Sequence, residues 1–262
     1  MTRPVIAFLT DFGTRDHYVG AMKGVALIVC PDATLVDITH EIDPQDVLAG
    51  ALELGAAFPC FPEGTVFVAV VDPGVGSARR GIAAAAAGRH FVAPDNGLLT
   101  LPLRAPGAQV VSLTEPRYAR PEISRTFEGR DRFAPAAAWL ARGTGLMELG
   151  DAVRDPVLID IPEPTLDGDV LRGEVLRVDR FGNLITNVDR AALDRFTAGS
   201  RAIVAIDSRV GLPIVGTYAD VPSGTLCALV GSTDRLEIAI PNGSAADVLG
   251  ASRGAAVLVA RG

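Results

Sequence analysis

The stretch Val5-Ile6-Ala7-Phe8-Leu9-Thr10-Asp11-Phe12-Gly13 decides the fold class of this chain. It opens with a continuous apolar run, which is typical of a strand that is buried on both faces of a sheet. The run ends at Thr10-Asp11, and ligands of open parallel sheets bind beyond the carboxyl ends of the strands. The stretch therefore predicts a buried β-strand that leads into a candidate functional loop.

The segments that follow alternate between helix and strand. Apolar residues three or four positions apart predict the helices, and short apolar runs that end at turn residues predict the strands. This alternation indicates an α/β domain with a mostly parallel sheet between helices, which we place at residues 1–162. The predicted helices are 17–30, 47–58 and 134–141, and the predicted strands are 5–9, 34–38, 66–71, 82–87 and 91–93.

The second half of the chain has a different texture. Three prolines (Pro156, Pro162 and Pro164) mark a domain boundary, and residues 168–262 hold short β-branched runs between Gly, Asn and Asp turns. Such a pattern predicts a smaller all-β domain, an antiparallel barrel or sandwich, and we expect a barrel-like form. Only residues 190–196 have a helical pattern. The predicted strands are 170–179, 184–188, 202–206, 226–230, 235–240 and 256–259.

Composition excludes several classes of function. The formal charge is −7, which disfavours a nucleic-acid partner. No apolar run approaches a membrane span, and the N-terminal apolar run is too short for a signal peptide, so we expect a cytoplasmic protein. Cys30, Cys60 and Cys227 lie far apart, and none has a histidine at metal-ligand spacing. They are expected to be buried thiols, with neither a disulfide nor a metal site.

Four loops at strand ends contain candidate site residues. They are 10–16, 71–80, 93–97 and 126–131. A single Asp after a strand is more often a helix cap or a turn former than a ligand contact. The loop from Gly74 to Arg79 lacks the third glycine of the dinucleotide motif, so phosphate binding is not supported. The carboxylates of Asp11, Asp16 and Asp72 instead suit a ribose diol or a cationic small molecule.

The histidines offer little support for other catalytic arrangements. His17, His40 and His90 are scattered, without the spacing of a metal site, and the chain has no Gly-x-Ser-x-Gly nucleophile motif. His40 is expected to be a structural hydrogen-bonding residue rather than a general base.

Taken together, segments spread over nearly the full length resemble the S-adenosyl-L-methionine (SAM) hydroxide adenosyltransferases, or SAM hydrolases, which share a superfamily with fluorinases and chlorinases. The resemblance rests on TDFG (10–13), YVGAMKGV (18–25), VDITHEI (36–42), VVDPGVG (70–76), VAPDNGLLT (92–100), GRDRFAP (129–135), DRFGNLITN (179–187) and LEIA (236–239). It implies an α/β domain followed by a β-barrel-like domain. It also implies a homotrimer with active sites between the first domain of one chain and the second domain of a neighbour.

The implied reaction is attack of water on the ribose C5′ of SAM, giving adenosine and L-methionine without a metal or cofactor. The sulfonium is already a good leaving group, so the protein must mainly align a water and help remove its proton. By resemblance, Asp72 and Arg79 orient and polarise that water, and Asp11 holds the ribose hydroxyls.

The resemblance also implies substrate contacts in the second domain. Asn183 and the loop at Asn242 would bind adenine. Asp16 of the first domain, with Asp179 and Ser232, would meet the methionine end, and Glu237 would support that wall. Without the resemblance, residues 179–183 would be interpreted as a plain hairpin turn.

One position departs from the family pattern in a way that bears on catalysis. The resemblance implies a histidine after Phe127, where this chain has Glu128, and we take Glu128 as the third member of the catalytic set. Two alternatives to hydrolysis follow. The chain could bind SAM or adenosine without turnover because Glu128 replaces the histidine, or it could cleave SAM with a halide, which the carboxylate of Asp72 disfavours. A second departure, Pro241-Asn242, concerns only the adenine side.

Overall fold

A computed structural model describes residues 3–206 and 209–261 of the 262-residue chain. The chain divides into two compact units, Met1–Asp160 (unit 1) and Ile161–Gly262 (unit 2). Among the described residues, no helix is long and apolar enough to cross a membrane. Cys30 and Cys227 are buried thiols as expected, whereas Cys60 is exposed at the end of a short 3-10 helix, so that part of the prediction is wrong.

Unit 1 is a six-stranded mixed sheet with helices on both faces, which confirms the predicted α/β class. Its strands are β1 (Val5–Thr10), β2 (Thr34–Thr39), β3 (Val66–Val70), β4 (Gly81–Ala86), β5 (Arg89–Pro94) and β6 (Gln109–Ser112). Its α-helices are α1 (Tyr18–Val29), α2 (Val47–Ala57), α3 (Thr100–Leu103) and α4 (Ala134–Ala141).

The strand order is β2-β1-β3-β5-β4-β6. The first four run parallel, and β4 is antiparallel to both of its neighbours. Because β1 pairs in parallel with both β2 and β3, the loops that follow these three strands leave the same edge of the sheet. This edge is where the sequence places Asp11, His40 and Asp72.

Alternate side chains of β1 enter two different cores. Ile6 and Phe8 pack with residues of α1 and α4, whereas Ala7 and Leu9 pack with residues of α2. A strand buried on both faces has no polar side, which explains the continuous apolar run.

Unit 2 is a closed barrel of seven strands, as the barrel-like prediction required. Strands β8 (Val170–Val178), β9 (Leu184–Asp189), β10 (Ala202–Ile206), β11 (Arg209–Val215), β12 (Cys227–Val230), β13 (Arg235–Ala239) and β14 (Ala256–Arg261) form it. Around the barrel the order is β8-β9-β13-β12-β11-β10-β14, and β14 pairs again with β8. The short strand β7 (Thr165–Asp167) pairs with β8 outside the ring. Helices α5 (Arg190–Thr197) and α6 (Ala245–Leu249) complete the unit.

The barrel is not wholly antiparallel, because β11 and β12 run parallel. Strand β11 was not predicted, and it contains Gly211 and Pro213, two residue types that weaken a strand pattern. Strands β6 and β7 and the short helices α3 and α6 were also missed.

Candidate active site

Asp72 and Arg79 form a paired group at the carboxyl edge of the unit 1 sheet. Asp72 lies two residues after the end of β3, and Arg79 donates from Nε to Asp72 Oδ1 at 2.8 Å. A second guanidinium nitrogen of Arg79 pairs with Asp72 Oδ2, so the contact is bidentate. Both side chains are largely buried, with 10% and 6% of their surfaces exposed for Arg79 and Asp72.

Gly76, in the loop between Asp72 and Arg79, lets this loop pack closely against the segment around Arg125. Gly76 has a φ of 77°, and a Cβ there would lie 2.6 Å from the backbone oxygen of Arg125. Arg125 in turn donates to the Gly76 carbonyl at 3.0 Å. Only glycine therefore fits this close approach between the Asp72 loop and the segment that leads to Glu128.

Glu128 completes the cluster from that second segment. Its Oε2 lies 2.9 Å from Arg79 and 3.9 Å from Nε of Arg132. Arg132 Nε is buried and has no hydrogen-bond partner among the described residues. The Arg79 guanidinium also lies over the ring of Phe133, 5.4 Å from its centroid. The cluster thus holds two carboxylates and two guanidinium groups.

A buried carboxylate fixes the segment that bears Glu128. Gly129–Phe133 forms a π-helical turn, and Asp131 within it is fully buried. Asp131 accepts hydrogen bonds from Arg130, from Arg120 and from the amide of Ser124. Burial alone would raise the pKa of Asp131, but these donors lower it overall, so its charge is retained. Sequence reasoning assigned no role to Asp131 or Arg132, although both lie within the quoted GRDRFAP motif.

The electrostatics of Asp72 differ from those of Asp131. Burial raises the pKa of the Asp72 carboxyl, Arg79 opposes that rise, and the nearby Glu128 carboxylate adds to it. A carboxylate with a raised pKa is a better proton acceptor than an ordinary surface Asp. Each of its oxygens also has a second lone pair, so the pairing with Arg79 leaves room for a water.

Asp11 and Asp16 lie on the loop between β1 and α1. Asp11 Oδ2 accepts the backbone amide of Gln45 at 2.8 Å, from the loop between β2 and α2. Asp16 is exposed shortly before α1 begins.

In unit 2, Asp179 organises the turn that the sequence predicts between β8 and β9. Its Oδ1 accepts the amides of Phe181 and Asn183, at 2.8 and 2.9 Å, and its Oδ2 accepts the Asn183 side-chain amide at 2.9 Å. Gly182 has a φ of 82°, and a Cβ there would meet Ser244 at 2.2 Å. The turn is thus tightly built and sets the direction of Asn183.

All five residues predicted as substrate contacts in unit 2 line one open pocket of about 620 Å³, a volume typical of small-molecule sites. These residues are Asp179, Asn183, Ser232, Glu237 and Asn242. The exposed ring of Phe181 also lines it, as does Tyr218, which sequence reasoning missed.

Glu237, which is buried, and Tyr218, which is exposed, form a hydrogen-bonded pair in this pocket. The Tyr218 hydroxyl donates to Glu237 Oε1. Burial raises the pKa of the Glu237 carboxyl. The hydrogen bond from Tyr218 opposes this rise, and the charge of Asp179 adds to it. The pKa of Tyr218 is raised as well, first by burial and then by Glu237, so the phenol remains the donor. No group of three or more His, Cys, Asp or Glu side chains suited to a metal ion occurs among the residues that the structure describes.

Comparison with known proteins assigns both units. Residues 6–150 match the SAM hydroxide adenosyltransferase N-terminal domain, and residues 173–258 match the C-terminal domain of the same family. The chain belongs to the SAM hydroxide adenosyltransferase family.

Three relatives illustrate the breadth of this family. A curated (R)-S-adenosyl-L-methionine hydrolase of Thermus thermophilus is 42% identical, and the match covers 96% of this chain and 97% of that protein. A fluorinase of Actinoplanes sp. is 36% identical over 83% of this chain and 84% of the relative. The crystal structure of an uncharacterized conserved protein from Thermotoga maritima has a TM-score of 0.92 and 34% identity, covering 98% of this chain and 100% of that one.

Proposed function

We propose that this SAM hydroxide adenosyltransferase family member hydrolyses S-adenosyl-L-methionine to adenosine and L-methionine. The observation that carries the proposal is the buried Asp72–Arg79–Glu128 cluster at the sheet edge of unit 1. The names of the hydrolase relatives specify the (R) form of the sulfonium, and we extend that preference to this chain. No cofactor is required, because the substrate contains its own leaving group.

In the proposed step, a water oxygen bonds to the ribose C5′ while the C5′–S bond breaks and its electron pair stays on the methionine sulfur. Asp72 accepts the proton that the water loses and later releases it to solvent. Arg79 fixes Asp72 through the bidentate contact and also pairs with Glu128. Alignment of the water with the C–S bond supplies much of the rate, since the leaving group needs no protonation.

The remaining site residues bind substrate in the proposal. Asp11 accepts hydrogen bonds from the ribose hydroxyls, and Asp16 contacts the methionine end. In unit 2, Asn183 and the Asn242 loop bind adenine, and Asp179, Ser232 and Glu237 face the methionine moiety. The five unit 2 residues line one pocket, which supports their assignment to a single substrate.

Binding without turnover is the second candidate, and the observation that favours it is Glu128. A carboxylate in this position takes part of the charge of Arg79 and brings a second negative charge near Asp72. Halide-dependent cleavage, which the fluorinase names suggest, is disfavoured by the same two carboxylates. A halide there would lose its hydration beside two carboxylates, while Arg79 is already paired with both of them.

One incubation separates these candidates. Purified protein is mixed with (R)-SAM in ¹⁸O-labelled water containing chloride or fluoride, and the products are analysed by mass spectrometry. Hydrolysis predicts adenosine that contains ¹⁸O at its 5′ oxygen, together with unlabelled methionine. A 5′-halogenated adenosine would contradict hydrolysis. Absence of product together with measurable SAM binding would establish the binding protein instead.

The assembly proposal is a homotrimer in which unit 1 of one chain and unit 2 of a neighbour share each active site. A closed three-fold assembly repeats one heterologous interface three times. The test is subunit complementation: Asp72→Asn chains and Asn183→Ala chains, each inactive alone, are dissociated and reassembled together. A shared site predicts recovered activity, because some pockets then combine two intact halves. If mixing restores nothing while each variant remains trimeric by light scattering, the shared-site proposal is wrong.

A further inference from the structure

A chain of four hydrogen-bonded side chains, here called the relay, starts at the buried Thr10 next to Asp11 and passes through the buried His40 to the more exposed Asp37 and Lys23. Thr10 Oγ1 lies 2.9 Å from His40 Nδ1, and His40 Nε2 lies 2.8 Å from Asp37 Oδ1. Lys23 of α1 donates to the other oxygen of Asp37 at 2.6 Å. The relay thus joins residues of β1, α1, β2 and the loop after β2.

The directions of the hydrogen bonds to Asp37 follow from the charge of its carboxylate. Asp37 is ionised, because the hydrogen bonds from Lys23 and His40 outweigh burial and lower its pKa. An ionised carboxylate only accepts, so His40 donates from Nε2. Thr10 Oγ1 also accepts the Phe12 amide at 3.2 Å, so the Thr10 hydroxyl joins His40 Nδ1 to the backbone of the loop after β1.

The order Asp–His–Thr resembles an activated nucleophile, but the burial argues against that role. Thr10 is fully buried and His40 is 5% exposed, so neither can meet a substrate in this conformation. The relay instead fixes backbone. The His40 carbonyl accepts the amide of Gly13 at 2.7 Å, so His40 holds the loop after β1 through both its side chain and its main chain.

Gln45 adds a second, strained connection. It has a φ of 70°, which is uncommon for a residue with a side chain, and its amide is the donor to Asp11 Oδ2. Strained backbone of this kind persists where the surroundings over-determine it, often beside a functional site. Within the described part of the chain, Asp11 Oδ1 accepts no hydrogen bond.

The geometry points to Thr10 and His40 as positioning residues that hold the Asp11 carboxylate for the substrate's ribose, an inference that rests on the proposed function. The relay fixes the start of the loop at Thr10, Phe12 and Gly13, and Gln45 fixes the carboxylate itself. Neither Thr10 nor His40 touches the reacting atoms. Their loss should therefore weaken substrate binding more than it slows the chemical step.

The test is Thr10→Val, which keeps the shape of the side chain and removes the hydroxyl. We expect KM for SAM to rise about tenfold, the equivalent of one or two lost hydrogen bonds, with kcat within about threefold of wild type. Thr10→Ser should restore KM. Removing the ribose 2′-hydroxyl from the substrate should cost the wild type more than it costs Thr10→Val, because the contact is already impaired in the variant.

Thr186→Val is a matched control. Thr186 is also fully buried, donates to the Leu236 carbonyl at 2.7 Å and accepts the amide two residues later at 3.2 Å. Thr186→Val therefore also removes two hydrogen bonds of a buried threonine hydroxyl. It should lower stability to a similar extent and leave KM unchanged. If Thr10→Val fails to fold, Asp37→Ala removes the more exposed end of the relay and should also raise KM.

Two failures are distinguishable. A wild-type protein that never cleaves SAM would end the proposed function, and the relay is then judged by the Kd for adenosine in calorimetry. A wild-type protein that cleaves SAM, with KM unchanged in Thr10→Val and Asp37→Ala, would overturn the positioning role.

Discussion

The Asp72 cluster of unit 1 and the pocket of unit 2 differ in net charge. In unit 1, Asp72 and Glu128 are matched by the guanidinium groups of Arg79 and Arg132, so the cluster is close to neutral. The unit 2 pocket contains Asp179 and Glu237, and Arg177 is the single basic side chain among the described residues that line it. Its carboxylates therefore outnumber its cations.

This difference corresponds to two kinds of work in the proposed reaction. A neutral, buried ion-pair cluster is pre-organised and holds a water without attracting an ion. A pocket with excess negative charge attracts a cationic ligand, and SAM has both a sulfonium and an ammonium group. Substitutions in each region test that contrast, and the largest effect is expected at Asp72.

Asp72→Asn should abolish most of the turnover. The amide keeps the shape of the carboxylate and can still hold a water, but it cannot accept the proton. Loss of a general base costs on the order of 10² to 10⁴ in rate. SAM binding, measured by calorimetry, should remain within a few-fold of wild type. Wild-type turnover in this variant would remove Asp72 from the proposed mechanism.

The sequence predicted five of the six strands of unit 1, most of them from continuous apolar runs, and missed the short strand β6. The missed strand β11 has no such signal, since Gly211 and Pro213 interrupt it and its pairing with β12 is set by barrel closure. Closure is a long-range property that local patterns do not contain.

The candidate site was predicted to a similar degree. Motif resemblance named Asp72, Arg79 and Glu128, which the structure brings together in unit 1, and the five residues that line the unit 2 pocket. No contact joins Asp11 or Asp16 to the Asp72 cluster among the described residues, and the roles of all these residues remain predictions. It missed Tyr218, which meets Glu237 from nineteen positions away and lies in no quoted motif. It also gave no role to Arg132, whose contact with Glu128 depends on the π-helical turn over Gly129–Phe133.

Glu128 provides the second prediction. Glu128→Gln should lower activity moderately, by about tenfold, because the amide still accepts from Arg79 but no longer balances its charge. Glu128→His should retain or raise activity, since it restores the residue that the family resemblance implies. Initial rates of adenosine release at neutral pH measure both.

The Glu128 variants also distinguish the enzyme from the binding protein. If Glu128→His abolishes activity, Glu128 has no histidine-like role. If the wild type binds SAM without cleaving it and Glu128→His cleaves it, the chain is a binding protein that lost turnover at this position.

The smallest effect concerns stability in unit 2. Burial raises the pKa of Glu237, so the folded protein holds this proton more tightly than the unfolded chain does. The protonated form therefore contributes stability at low pH, and this contribution is lost as pH rises from the ordinary value of 4.5 through the raised one. Glu237→Gln mimics the neutral form and should raise the free energy of unfolding at pH 7, by on the order of 1 kcal/mol, while weakening SAM binding.

The comparison that checks this prediction is denaturant unfolding of the whole chain at pH 7 and pH 4. The gain from Glu237→Gln should shrink at pH 4, where the wild-type side chain takes up its own proton. Glu174→Gln, on the half-buried part of β8, removes a carboxylate of the same barrel from outside the pocket and should show no such change. If Glu237→Gln raised the free energy of unfolding equally at pH 7 and pH 4, the charge of Glu237 would not destabilise the folded protein. In that case the excess of carboxylates in the unit 2 pocket is balanced by Arg177 and Tyr218, and the electrostatic contrast between the two regions disappears.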